Sequence, residues 1–281
     1  MWNPTVQGAW LGRLVIAAAV AWHLLTVLAP PRTAAPQNTE GRDFASYYYA
    51  AKVASQGGDP YDKGALESMA VEEGTRAEVH PFFYPPPFLW LVAWAPAFSL
   101  RPGFGIWFVL NELALLAACL ALLSWWRSFG QAVAPILAVT VAVMYGVAYS
   151  AELGQANFPV LLLVILGVWQ DARRPALAGV LVGLACMLKM SPALLVVWWI
   201  ARRRWTAVGA AIATAVLSSV LTLPLLSLFG QLNFYTEVLP QFGSGDYNGL
   251  HIKIEMFGNH SLPNVLHQYF PSGENRLSPI A

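Results

Sequence analysis

Eight apolar runs, at residues 10–30, 85–100, 104–126, 131–149, 157–170, 175–188, 191–201 and 205–230, constrain this chain more than any other feature. A bilayer core takes about 20 apolar residues as a helix. Inside it, only helices and closed barrels satisfy their own backbone groups. Runs of this length and period-free hydrophobicity read as helices. Only 11% of residues are charged, against roughly 25% in a soluble domain, so lipid solvates most of the chain. Trp10 to Pro30 lacks a small-residue cleavage site and reads as an anchor that stays attached. A net charge of +1 suggests no polyanion partner, and nothing in the sequence resembles a nucleic-acid footprint. Cys119 and Cys186 both lie in apolar runs, which argues against a disulfide framework and against a metal site.

Charge sets the orientation. Short cytoplasmic loops collect Lys and Arg. The loops at Arg127, at Arg173 and Arg174, and at Arg202 to Arg204 hold six basic residues against one acid, Asp171. Residues 31–82 hold five basic and eight acidic residues. If the three basic loops lie inside, 31–103 lies outside and 85–100 does not cross. That run starts with Pro85, Pro86 and Pro87 and contains Pro96, and proline breaks helices. It reads as a helix lying in the outer interface. Runs 175–188 and 191–201 meet at Lys189 and Pro192 and read as two segments. A single kinked helix would put the basic loops at 171–174 and 202–204 on opposite sides. The expected fold is an all-α polytopic membrane protein. It has about seven transmembrane helices in one module over 1–281, with outer loops at 31–103 and 231–281.

The polar residues on the outer side are few. In "GRDFASYYYAAKVASQGGDPYD", residues 41–62, Asp43 is either the N-cap of a periodic helix or a general base. Phe44, Tyr47, Tyr48 and Ala51 share one helical face, which either walls a sugar or packs on the spans. Asp59 and Asp62 sit in a turn and read as structural. Tyr84 follows in "FFYPPPF". In "ELGQANFP", Gly154 makes a tight turn beside Gln155 and Asn157, with Asn157 as helix cap the simpler alternative. Lys189 lacks an acidic neighbour in sequence; a charge at membrane depth marks function by default, and an ammonium holds a phosphate as a point charge. "GNHS", residues 258–261, offers Asn259 and His260 as phosphate or sugar contacts, or is a solvated loop. No P-loop, GxGxxG, HExxH or CxxC pattern occurs, which sets aside nucleotide-driven pumps, dinucleotide enzymes and zinc peptidases.

Five stretches, taken in order, carry a resemblance: "RDFASYYYAAKVASQGGDPYD", "FFYPPPFLWLVAWAP", "GQANFPVLLLVILGVW", "LAGVLVGLACMLKMSPALLVVWWIARRRW" and "GNHSLPNVL". Together they resemble glycosyltransferase family 87, of the GT-C class that includes phosphatidylinositol-mannoside mannosyltransferases. The resemblance spans roughly residues 40–265. It implies a polyprenyl-phosphate sugar donor, a membrane lipid or glycan acceptor, and catalysis outside the cytoplasm with no cofactor or metal. It also implies a catalytic aspartate in the first outer loop, whose matching position is Asp43. On that basis Lys189 is the leading phosphate contact and His260 a second candidate, while Tyr48, Tyr84, Gln155 and Asn157 shape the pocket. Family members usually continue with further spans beyond the GNHS-like region, so the resemblance also implies a C-terminally shortened chain. Two other classes fit the composition: a transporter or flippase, and a non-catalytic subunit of an envelope glycan machine. A transporter would want midplane charges and repeated halves; Glu112 and Lys189 are the main intramembrane charges, and no internal repeat is visible.

Overall fold

The computed structural model describes residues 4–28, 41–75, 78–126, 130, 132–242, 246–251 and 269. The described residues are mostly helical. Helices α1 (Pro4–Leu28) and α5 (Leu100–Trp126) are long rods. Among the described residues these two are long and apolar enough to cross a membrane. A third such unit is the bent pair α6 (Val133–Val143) and α7 (Tyr145–Leu153). The expected single span at 131–149 is therefore two helices at 57°. Met144 has ψ 109° and leaves helical geometry, which interrupts the hydrogen-bond ladder. Helices α8 (Asn157–Gln170), α9 (Pro175–Leu188) and α11 (Trp205–Leu221) are apolar but shorter. At 1.5 Å per residue they run about 21 to 26 Å.

Helices α1, α5 and α6 border an apolar cavity of about 560 Å³. Glu112 lies on it and accepts a hydrogen bond from His23 Nε2 at 2.9 Å, which ties α1 to α5.

Two close approaches fix the α9–α11 pair. A Cβ on Gly179 would collide with the Ala207 carbonyl oxygen, and one on Gly183 would sit 2.8 Å from that of Ala211. Small residues four apart let apolar helices meet backbone to backbone, where lipid offers no hydrophobic drive for association. Helix α9 then turns back at residues 189–192 into α10 (Ala193–Ala201). Arg204, just before α11, donates to the Asp171 carboxylate at 3.0 Å and to its backbone carbonyl. The two basic loops at 171–174 and 202–204 therefore sit side by side, as two antiparallel segments require and one kinked helix forbids.

The other ends of these helices converge on α2 (Arg42–Ser55). Ten of its fourteen residues are buried, the signature of a central helix rather than a surface one. Phe44, Tyr47, Tyr48 and Tyr49 are essentially inaccessible. The core around α2 gathers Leu66 of α3 (Lys63–Glu72), Phe82, Phe88, Trp107, Ala156, Leu226 and Phe234. So the shared face of Phe44, Tyr47 and Tyr48 packs inward. The expected interfacial helix over 85–100 is instead the five-residue α4 (Phe88–Val92) and a 3₁₀ turn at Ala95–Ala97. Phe88, Leu89, Val92 and Ala95 enter the α2 core, while Trp90 faces out and donates its indole N–H to the Leu221 carbonyl at 3.1 Å. Beyond α11, α12 (Leu228–Asn233) leads to one π turn at Phe234–Val238. Strands β1 (Asp246–Tyr247) and β2 (Leu250–His251) form a short antiparallel ribbon. Asn248 in its turn donates to the carbonyls of Tyr61 and Phe82 at 2.8 and 2.9 Å, which ties it to the α2 core.

Gly179→Leu is expected to separate α9 from α11 and cost more than about 3 kcal/mol, the range of severe overpacking. Size-exclusion chromatography in detergent should show loss of the monodisperse peak, whereas Gly209→Leu, where an added Cβ meets nothing within 4 Å, should keep it.

Candidate active site

The site begins with how α2 is anchored. Gly41, at the N-cap, has φ 63°, and its amide donates to the Glu152 carbonyl at 2.8 Å. That bond fastens the first turn of α2 to the last turn of α7. Gly154 ends α7 with φ 71°. Its carbonyl accepts the Trp107 indole N–H at 2.7 Å, and a Cβ there would lie 2.9 Å from that of Phe44. The α7–α8 turn is thus wedged between α2 and α5, and the next residue, Gln155, faces Asp43.

Gln155 Nε2 donates to Asp43 Oδ2 at 2.8 Å. Gln155 Oε1 accepts from Asn157 Nδ2 at 2.6 Å and from Ser150 Oγ at 3.4 Å. Asn157 Nδ2 also donates to Ser150 Oγ at 2.9 Å. Asn157 Oδ1 accepts from Lys189 Nζ at 2.7 Å. The result is one directed chain, from ammonium through two amides to carboxylate. Asp43, Gln155, Asn157 and Lys189 are all half-buried, so the chain is held by protein yet open to a ligand. The alternative roles of Asp43 and Asn157 as helix caps are not realised: α2 and α8 have no side-chain cap. Asp62 does cap α3, accepting from Gly64 and Ala65 amides, and Asp59 accepts from Tyr61 N and Asn233 Nδ2. Both are structural, as their turn suggests.

Two tyrosines back the carboxylate. Tyr47 donates to the Tyr84 hydroxyl at 2.8 Å, with their rings edge to face. Burial pushes both phenols up, and the nearby Asp43 charge adds to it. They stay protonated near neutrality and serve as neutral dipoles. Tyr48 is different: its ring is buried and its hydroxyl donates to the Phe98 carbonyl at 3.0 Å, outside the chain of polar groups. His260 lies outside the described residues. Arg42 completes the surroundings, with Nε 3.8 Å from Asp43 Oδ1. His80, half-buried, is held below the ordinary imidazole range by burial and then by Arg42.

The fold thus brings together five residues that the sequence singles out, Asp43, Tyr84, Gln155, Asn157 and Lys189, and adds Ser150 and Arg42, which the sequence does not single out. Ser150 directly follows the apolar run 131–149 and carries no signal of its own there, while the sequence leaves Tyr47 either walling a sugar or packing on the spans. Chemically, the carboxylate can accept a proton, and the ammonium has further N–H bonds with which to hold an anion. Among the described residues, no group of three or more His, Cys, Asp or Glu could hold a metal ion.

Residues 82–277 match the family profile of glycosyltransferase family 87. The match contains Tyr84, Gln155, Asn157, Lys189 and His260, while Asp43 and Tyr48 precede it. No curated protein and no solved structure gives a significant match.

Gly154→Ala is expected to cost about 1–2 kcal/mol from the left-handed backbone alone, with the Phe44 collision added. Thermal unfolding in detergent should show a lowered midpoint, and sugar transfer should fall with it; an unchanged midpoint contradicts the wedge.

Proposed function

The chain belongs to glycosyltransferase family 87, and from that premise we propose that it moves a hexose or pentose, in the manner of a mannosyltransferase, from a polyprenyl-phosphate sugar to a lipid or glycan acceptor. The reaction takes place at the extracytoplasmic face of the cell membrane. The observation that carries this reading is the hydrogen-bonded convergence of Asp43 and Lys189, which are remote in sequence.

In this mechanism Asp43 accepts the proton of the acceptor hydroxyl as that oxygen attacks the anomeric carbon. The bond from that carbon to the phosphate oxygen breaks, and the polyprenyl phosphate departs with its electron pair. Direct displacement inverts the anomeric centre. A phosphate is already a good leaving group, so one carboxylate suffices where glycoside hydrolysis uses two. Lys189 stabilises the charge that builds on the departing phosphate. His260 is a second candidate for that contact, and Tyr84 and the Tyr47 behind it line the carboxylate side. Membrane lipids are the solvent for the bundle.

Topology supports the same face for Asp43, Gln155, Asn157 and Lys189. The turns at 153–156, 188–189 and 222–226 all meet the α2 core, while the basic loops at 171–174 and 202–204 meet each other. With the basic loops in the cytoplasm, the polar chain faces out. The seven-span arrangement follows if α8, α9, α10 and α11 cross or nearly cross as short helices beside α1, α5 and the bent α6–α7 pair.

Membranes incubated with labelled polyprenyl-phosphate mannose, glucose or arabinose should transfer one of these sugars. Asp43→Asn should keep the folded peak and lose roughly 10²-fold or more in rate, the usual contribution of a positioned base. Lys189→Ala should weaken donor use. Normal transfer by Asp43→Asn removes the base from the mechanism, and donor binding without turnover by the wild type favours a non-catalytic subunit.

A further inference from the structure

The two amides between the charges have a fixed sense. Lys189 can only donate, so Asn157 must present Oδ1 to it and Nδ2 away from it. Nδ2 then meets Gln155 Oε1, which turns Gln155 Nε2 to Asp43 Oδ2. A carboxylate can only accept, so the far end fits the same order. Ser150 Oγ braces the middle from α7, within 2.9 Å of Asn157 Nδ2 and 3.4 Å of Gln155 Oε1. Reversing either amide would set two acceptors or two donors against each other. Each amide has its carbonyl oxygen engaged by a donor, and each has an N–H engaged by an acceptor. Gln155 and Asn157 are therefore committed along the chain rather than turned toward a ligand.

We infer that Gln155 and Asn157 are positioning residues, not sugar contacts: they hold the Asp43 carboxylate by Oδ2, so that Oδ1, beyond hydrogen-bond distance of Arg42 Nε at 3.8 Å, takes the acceptor hydroxyl, and they register it against the Lys189 ammonium. This rests on Asp43 as base and Lys189 as phosphate contact. It follows that damage to either amide lowers the rate of the chemical step more than the apparent affinity for donor. A sugar contact would do the opposite, because lost ground-state binding raises KM with kcat preserved.

The test uses the full chain in membranes or detergent, with a polyprenyl-phosphate sugar that the wild type accepts. Gln155→Met, close in volume but without polar atoms, should lower kcat at least tenfold and change donor KM less than threefold. Gln155→Glu adds a readout that misfolding cannot mimic. When protonated, the new carboxyl donates to Asp43 Oδ2 in place of the amide; when ionised, it repels it. Its rate relative to wild type should therefore rise as pH falls. The charged and titratable groups facing this pair are Arg42 and Tyr47 on α2, His80 and Tyr84 beyond α3, and Lys189 through Asn157. A raised donor KM at unchanged kcat, unchanged values for both constants, or a pH-independent Gln155→Glu ratio overturns the inference. Failure here with Asp43→Asn still inactive leaves the base in place; an active Asp43→Asn removes the base itself.

Discussion

A carboxylate and an ammonium held at the rim of an apolar bundle must be satisfied by protein groups, because water is scarce there and an unpaired charge is costly. This chain meets the constraint without pairing the two charges directly. A direct ion pair would neutralise both and leave neither free for a substrate. Two amides between them satisfy one side of each charge, and on the other side of the carboxylate Arg42 Nε stands off at 3.8 Å from Oδ1. Much of the surrounding architecture follows from that arrangement. Gly41 and Gly154 let α2 and the α7–α8 turn approach closely enough for the first of these bonds. The turn after α9 brings Lys189 to the last.

Rigidity around the site comes from aromatic packing. Phe44 stacks near Trp107, Tyr47 sits against Tyr84 and Phe88, and Tyr61 against Phe82 and Phe234. Such pairs each contribute about 0.5–1.5 kcal/mol beyond area burial. They also limit rotamer freedom, which holds the Asp43 carboxylate near one geometry. The opposite end of the bundle is organised by charge instead, where Arg204 clasps Asp171. One polar chain at one end and one ion pair at the other give the bundle its two chemically distinct poles.

Helices α1, α5, α8, α9 and α11 were legible because apolar length is a strong signal. The bend at Met144 was not, since neither Pro nor Gly marks that residue and the cause is a local backbone torsion. The 85–100 run reads as one helix from its apolar length, but Pro96 lies within it and Phe88, Leu89, Val92 and Ala95 enter the α2 core. Helix α3 does not stand out in the sequence, because Asp62 has the residue type of a turn as well as of the cap it forms. At the site, the residue types at 43, 155, 157 and 189 suggested chemistry, yet spacing along a chain contains no distance. Which amide bonds to which charge emerged only once α2, the α7–α8 turn and the end of α9 were placed together. Tyr48 illustrates the converse: an aromatic on the same short helix as the acid points its hydroxyl elsewhere in space, to the Phe98 carbonyl.

The most direct measurement is an experimental structure of the chain with a bound polyprenyl-phosphate sugar. The expected result is a phosphate oxygen within hydrogen-bond distance of Lys189 Nζ, with the anomeric carbon turned toward Asp43 and Gln155 still bonded to Oδ2. A phosphate bound at the pole of Arg202 to Arg204, with Asp43 and Lys189 both remote from the donor, would contradict it.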